Sequence, residues 1–302
     1  MLEGLALARS RLDRAAVHRA DTEWLARRWV EAGTAVLLVS GGQVPVDPDD
    51  PSRLRLLAPQ LAPDGLRVLV GVDEVDRAYF AVVTEPGVEP VMAEATRWAG
   101  LREIGGLLPD AEAGMVVHAV AVANWHATHT HCTRCGADTE PVLAGAVRRC
   151  PVDGSEHYPR TDPAVIMTVV DPGGRLLLGH QSRWPQGRYS TLAGFVEPGE
   201  SLEQAVRREV AEEVGLRVRQ TRYLGSQPWP FPSSLMLGFM ALVDPGEPVV
   251  DGEEISLARW FTREELAAAL AEGSVALPPR VSIARRLIEH WYGAPLATPE
   301  RW

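Results

Sequence analysis

The sequence predicts a mixed α/β protein in three parts: an N-terminal α/β domain over residues 1–124, a small knuckle over 125–160 and a C-terminal α/β domain over 161–302. Three observations carry this. Apolar runs of strand length alternate with amphipathic helical stretches at both ends of the chain. Between them, from His126 to about Arg160, the apolar period is lost and His, Cys and Gly accumulate. The 302 residues also exceed one ordinary domain and suffice for two buried cores.

In the N-terminal part, Glu23–Ala32 has helical periodicity, while Ala35–Ser40, Arg67–Val72 and Ala78–Val83 have the β-branched, apolar character of strands. Pro, Asp and Gly cluster at Val46–Ser52 and Ala62–Gly65, which predicts turns. No catalytic constellation stands out there. In the C-terminal part Ala164–Val170 predicts a buried strand, Asp171–Gly174 a turn and Arg175–His180 the returning strand. A strand is expected over about Tyr189–Ala193. A helix follows over Ser201–Val214, opened by the capping pair Ser201 and Gln204 and closed by Gly215. Strands at Val218–Ser226, Leu235–Val243 and Ser256–Phe261, then helices at Arg263–Ala271 and Val281–Tyr292, complete the part, and Pro295–Trp302 reads as a tail. No internal repeat is visible in the residues.

Composition narrows the function classes. The formal net charge of −10 argues against broad electrostatic binding to a nucleic-acid backbone, although a local positive pocket remains compatible with it. The chain has no lysine, so all 30 basic residues are arginine. That excludes Schiff-base chemistry and the phosphate-gripping lysine of P-loop nucleotidases. No apolar run of membrane-spanning length occurs, and charges interrupt the N-terminus where a secretory core would lie, so a cytoplasmic protein is expected. Three cysteines are too few for a disulfide framework and, with one Cys-x-x-Cys pair, suggest metal or redox chemistry in a reducing compartment.

The chemistry concentrates in Gly194–Leu216, which holds Glu197, Glu200, Glu203, Glu209, Glu212 and Glu213. Glu209 and Glu213 lie four apart, roughly 40° from each other around a helix. Their repulsion calls for a partner. Arg208 supplies part of it, and a hard divalent cation such as Mg²⁺ or Mn²⁺ suits carboxylate oxygens better. Taken alone the helix is also compatible with a solvated amphipathic surface, with Val206, Val210 and Val214 facing the core. The full spacing decides otherwise: Gly194, five residues, Glu200, seven residues, Arg208-Glu209, Val210, one residue, Glu212-Glu213, one residue, Gly215 and Leu216.

That spacing resembles the complete signature box of the Nudix hydrolases. The resemblance implies an αβα sandwich on a mixed sheet for the C-terminal domain, and water attack at phosphorus in a diphosphate. It further implies metal ligands at Glu209 and Glu213, with Glu212 as a further ligand or a supporting group. Arg208 would orient the cluster by pairing with a carboxylate such as Glu200, and the carbonyl of Ala193 would join the metal site. From the segment Asp251–Glu254 we choose Glu254 over Glu253 as the later acidic ligand, and Glu213 as general base. In this chemistry the metal activates water and neutralises the diphosphate oxygens.

The substrate is suggested by Ser226-Gln-Pro-Trp-Pro-Phe-Pro-Ser-Ser234. Its three prolines, Pro228, Pro230 and Pro232, forbid helix and stiffen an extended backbone, which holds the rings of Trp229 and Phe231 in place. In isolation such a segment could simply be a packed loop. Behind the box it resembles the signature of the NADH pyrophosphatase (NudC-type) subfamily, with Ser233 where that pattern has Gln. The likeness extends to Trp125–Gly136, His157–Ile166 and Ile283–Ile288. It implies that Gln227–Ser234, Tyr158, Phe195 and Ala284 line a dinucleotide pocket. It also implies a homodimer acting on NADH or NAD⁺, releasing nicotinamide mononucleotide and AMP, with NAD-capped RNA as a second substrate. Hydrolysis of another nucleoside diphosphate derivative (ADP-ribose, diadenosine compounds) and non-catalytic dinucleotide sensing are the competing functions.

Cys132-x-x-Cys135 followed by Cys150 makes three-quarters of a Cys₄ zinc ribbon. Asp153 stands where the fourth cysteine would be. Zn²⁺ held by the three cysteines and Asp153, or by a nearby His157, His131 or His129, is one reading. A knuckle without metal and a redox pair are the others, and each is remote from hydrolysis.

Overall fold

The computed structural model describes residues 1–85 and 96–296. The chain divides into two compact units: Leu7–Thr161 with Trp229–Ser233, and Met1–Ala6 with Asp162–Pro228 and Ser234–Trp302.

The first unit opens with α1 (Thr22–Val30), capped by Asp21, whose carboxylate accepts from the Trp24 amide. Strands β1 (Ala35–Ser40), β2 (Gln43–Val46), β3 (Leu66–Val72), β4 (Ala78–Thr84) and β5 (Arg97–Gly100) form one sheet in the order β3-β4-β1-β2-β5. Strand β1 is parallel to β4 and antiparallel to β2, which is antiparallel to β5. Its AVLLVS run is buried on both faces, as a central strand requires. A short α2 (Leu101–Ile104) follows β5, and α3 (Asp110–Thr128) then runs through the expected boundary at 124/125. Buried residues lie all round α3, including Val116, Val117, Val120 and Trp125, so the helix lacks the one-sided period that would announce it. The knuckle is a three-stranded sheet of β6 (Glu140–Val142), β7 (Val147–Arg149) and β8 (Glu156–His157). It is tied into the unit: the Leu69 amide donates to the Ala144 carbonyl at 3.0 Å, and His126 Nε2 lies 2.8 Å from the Gly145 carbonyl.

The second unit contains β9 (Asp162–Val170), β10 (Leu176–His180), β11 (Leu192–Phe195), α4 (Leu202–Val214), β12 (Val218–Trp229, whose last residue belongs to the first unit), β13 (Ser234–Val243), β14 (Leu257–Phe261), α5 (Arg263–Ala271) and α6 (Ile283–Tyr292). Its sheet runs β12-β13-β9-β10-β14, with β11 also paired to β9. Here β9 is parallel to β13 and antiparallel to β10, which is antiparallel to β14. Helix α4 covers one face through Val206, Val210 and Val214, and α6 covers the other through Ile283, Ala284 and Leu287, which gives the αβα layering expected of this part. The strand expected at Tyr189–Ala193 instead begins at Leu192, because the Tyr189 and Ser190 amides are taken by the Ala276 and Gly179 carbonyls. Of the expected tail, residues 297–302 lie outside the described residues.

Leaving out β11, the two sheets take their strands in the same sequential order, third-fourth-first-second-fifth, and place the parallel pair alike. The repeat that the residues conceal is therefore present in the topology. What differs is the link between the second and third strands. In the second unit it carries β11 and α4; in the first it holds only a 3-10 turn at Pro59–Leu61.

Candidate active site

Helix α4 is built to aim carboxylates inward. Ser201 Oγ accepts from the Gln204 amide at 3.3 Å while Gln204 Oε1 accepts from the Ser201 amide at 2.8 Å, closing both orphan donors of the first turn. Gly215, at φ 67°, ends the helix in the left-handed region. Between these ends Glu209 and Glu213 share the inner face and are 7% and 3% exposed. Burial of two carboxylates on one face is costly unless each is compensated.

Compensation is unequal. Arg208 grips Glu200 through two parallel bonds, Nε to Oε1 at 2.9 Å and Nη2 to Oε2 at 2.8 Å. Its Nη1 donates to Glu209 Oε1 at 2.7 Å and Glu212 Oε2 at 3.0 Å, and Nη2 also donates to the Phe195 carbonyl at 2.9 Å. One guanidinium thus joins three box carboxylates to β11. These bonds raise the pKa of Arg208, Glu200 first among the causes, and hold Glu200 below the usual carboxylate range. Burial raises Glu209, with Arg208 pulling against it. Glu213 has no such partner. Burial first, then the negative charges of Glu209, Glu254, Asp251 and Glu212, push its pKa up to about 8. Its buried Oε2 has no hydrogen-bond partner.

Gly194 leaves the space that the Glu209 carboxylate occupies. A Cβ built there would fall 1.9 Å from the Glu209 carboxylate, so this side chain lies directly against the backbone of β11. The loop after β13 is fastened to the end of α4, with the Asp251 amide donating to the Glu213 carbonyl at 3.2 Å. Asp251 in turn accepts from the amides of Glu254 and Ile255, which shapes a tight turn that presents Glu254.

These groups border one cavity of about 680 Å³. Of the residues expected from the sequence, Ala193, Phe195, Arg208, Glu209, Glu212, Glu213, Ser234 and Glu254 line it, and Glu200 is joined to it through Arg208. The alternative Glu253 also reaches the wall, as do Asp251, Gln181, Ser182 and Arg183 from the loop after β10. The only sequence signal for that loop is a basic residue just beyond a buried strand.

Other expected residues sit elsewhere. Gln227 is fully buried, and its amide donates to the Val281 carbonyl at 3.1 Å. Ala284 is packed in the core beneath α6 with Ile166, Leu224 and Leu287. Pro228 is half-buried at the edge of the second unit. Tyr158 is 65% exposed in the first unit and donates its hydroxyl to Glu156 at 2.9 Å. Trp229, Pro230, Phe231, Pro232 and Ser233 pack as part of the first unit. There the Trp229 and Phe231 rings meet edge to face at 4.9 Å, and the guanidinium of Arg102 on α2 lies 4.4 Å from the Phe231 centroid. Arg102 was not legible in the sequence, because nothing local relates it to residues so far along the chain.

In the knuckle, the ligating atoms of Cys132, Cys135, Cys150 and Asp153 all lie within 4.8 Å of one another. Ser155 Oγ donates to Asp153 Oδ1 at 2.6 Å and sits 3.2 Å from His157 Nε2, so His157 stands behind this set.

The residues 160–281 match the NUDIX domain model, 27–125 an NADH pyrophosphatase-like rudimentary NUDIX domain, and 127–158 an NADH pyrophosphatase zinc ribbon domain. The NAD-capped RNA hydrolase NudC of Mycobacterium bovis (strain BCG / Pasteur 1173P2) is 43% identical, with 94% of each chain covered. The protein of that name in Mycobacterium tuberculosis (strain ATCC 25618 / H37Rv) is 42% identical over the same shares. The NAD-capped RNA hydrolase NUDT12 of Homo sapiens is 46% identical across 61% of this chain and 42% of its own length. With an intact carboxylate box on α4, a repeated sheet topology and near full-length identity of this order, the chain belongs to the Nudix hydrolases of the NADH pyrophosphatase (NudC) type.

Proposed function

We propose that this chain is a metal-dependent diphosphatase that cleaves NADH or NAD⁺ to nicotinamide mononucleotide and AMP, and removes the NAD cap from RNA by the same cut. The observation that carries the reading is the buried pair Glu209 and Glu213, which line a cavity walled by further carboxylates while one buried Glu213 oxygen has no hydrogen-bond partner. That donor set fits a hard divalent cation: the oxygens are negative, crowded and not neutralised by arginine alone. Glu209, Glu213 and Glu254 would hold Mg²⁺ or Mn²⁺, with the Ala193 carbonyl and Glu212 completing or supporting the set. Bound there, the cation supplies charge neutralisation on the diphosphate oxygens and a lowered pKa for water.

The chain's own residues do the rest. Arg208 keeps Glu200, Glu209 and Glu212 in register with β11, so the carboxylate wall is preorganised. Glu213 accepts the proton as water adds to phosphorus and the bond to the bridging oxygen breaks, which releases the two mononucleotides. Arg183 brings positive charge to the cavity, as an anionic substrate requires in a chain of net charge −10. The aromatic pair Trp229 and Phe231 offers faces for a flat base. Tyr158 and Phe195, 65% and 60% exposed, are open to further stacking. Buried Gln227 and Ala284 would act by supporting this wall.

In the knuckle, three thiols and Asp153 suit one Zn²⁺ in a structural role. No described helix is long and apolar enough to cross a membrane. A cytoplasmic location, expected from the composition, and a homodimer, implied by the sequence resemblance, remain part of this reading.

The deciding experiment incubates the purified protein with NADH and Mg²⁺ or Mn²⁺ and identifies products by mass spectrometry. NMNH and AMP are expected, and capped RNA should yield NMN and a 5′-monophosphate end. Cleavage of ADP-ribose or diadenosine compounds in place of NADH would overturn the substrate, and tight binding without any cleavage would favour a sensor. Glu213→Gln should lower kcat by about 10²–10⁴-fold.

A further inference from the structure

The segment Trp229–Ser233 has few backbone donors of its own. With proline at 228, 230 and 232, only Trp229, Phe231 and Ser233 carry an amide hydrogen, and Phe231 uses its own on the Trp229 carbonyl at 2.7 Å. The Pro230 carbonyl, between the two aromatic residues, belongs to a buried residue and needs a donor. It finds one in Asn124, whose Nδ2 donates to it at 3.0 Å.

Asn124 is unusual for its position. It sits half-buried near the end of α3, between buried Ala123 and Trp125, in a helix whose buried residues, His126 apart, are apolar. The carboxylates that line the cavity all belong to the other unit. We infer that Asn124, on the rudimentary domain, is a positioning residue for the reaction: its amide clamps the Pro230 carbonyl and thereby sets where the Trp229 and Phe231 rings stand. Segment and clamp are about a hundred residues apart in sequence yet belong to one compact unit. The inference rests on the reading of Trp229–Phe231 as a wall for the dinucleotide base.

The test uses the full-length protein and three variants at one site. Asn124→Ala removes the donor, Asn124→Asp keeps the shape but puts an acceptor against the Pro230 carbonyl, and Asn124→Gln keeps the amide. For NADH with saturating Mg²⁺, Asn124→Ala and Asn124→Asp should raise KM about five- to tenfold, the size of one lost buried hydrogen bond, with kcat within about twofold. Asn124→Gln should recover part of the loss. Hydrogen–deuterium exchange over peptides containing residues 229–234, read without substrate, should quicken in the Ala and Asp variants only. Unchanged exchange overturns the clamp itself. Faster exchange with an unchanged KM shows that the clamp exists but the segment is not a substrate wall, so the functional reading fails instead. A fall in kcat at constant KM would also sink the inference, because it would place Asn124's effect on the chemical step.

Discussion

Arg208 and Glu213 divide the box between order and reactivity. Arg208 answers the charge of Glu200, Glu209 and Glu212, which leaves Glu213 as the carboxylate whose burial is not compensated. In the proposed reading a cation is the partner of Glu213, so Mg²⁺ should raise the melting temperature of the wild type by clearly more than that of Glu213→Gln. Equal shifts in a thermal scan would remove Glu213 from the ligand set. Gly194 allows a sharper test, since any Cβ there collides with the Glu209 carboxylate. Gly194→Ala should keep its far-ultraviolet circular dichroism yet lose at least ~10²-fold in kcat, because a shift of about 1 Å in a positioned group is enough for that. Near-normal turnover would mean that Glu209 tolerates displacement. Residues of this kind were legible in the sequence because the chemistry needs them at fixed spacing. Gln227 was legible only as a motif member: its burial and its bond to Val281 come from a neighbour 54 positions away.

Elements carry the next set of consequences. The capping box of α4 makes Ser201→Ala cost about 1 kcal/mol, which chemical denaturation should register as a lower midpoint with an unchanged slope. In α3, burial lowers His118 to about 3, helped by the positive charges of Arg14 and Arg19, and burial also lowers His126. The folded value of His118 lies below the ordinary ~6.5, so the stability that comes from keeping it neutral is complete above that pH. It is lost progressively as pH falls toward 3. Melting temperature should therefore decline through that window, and His118→Gln should flatten the decline; a parallel curve would refute the assignment. In the knuckle, an oxygen donor at Asp153 binds zinc less tightly than a fourth thiolate. Asp153→Cys should then retain metal against a chelator that strips the wild type, as measured by metal content after dialysis. Helix α3 itself was hard to anticipate, since a helix buried all round has no amphipathic stripe to read.

For the whole molecule, charge and repetition matter most. A net charge of −10 leaves few phosphates neutralised outside the cavity. The salt dependence of kcat/KM for NAD-capped RNA should accordingly be nearly as shallow as that for NADH. A log–log slope steeper by several units would reveal an RNA-binding surface instead. The shared strand order of the two sheets shows one topology used twice, once with the β11–α4 insertion and once without it. That insertion accounts for the confinement of the metal-type carboxylates to one unit. The residues by themselves determined the carboxylate helix with both of its caps, the cysteine knuckle and most strands, because these depend on local spacing, periodicity and turn chemistry. The reaction class came from the resemblance of the box to that of the Nudix hydrolases. Tertiary structure alone decided the repeat, the placing of Trp229–Ser233 with the first unit, the bond from Asn124 to Pro230 and the unequal compensation of Glu209 and Glu213. Each of those follows from contacts between residues far apart in the chain, and no local pattern in the sequence encodes which distant partner a side chain will meet.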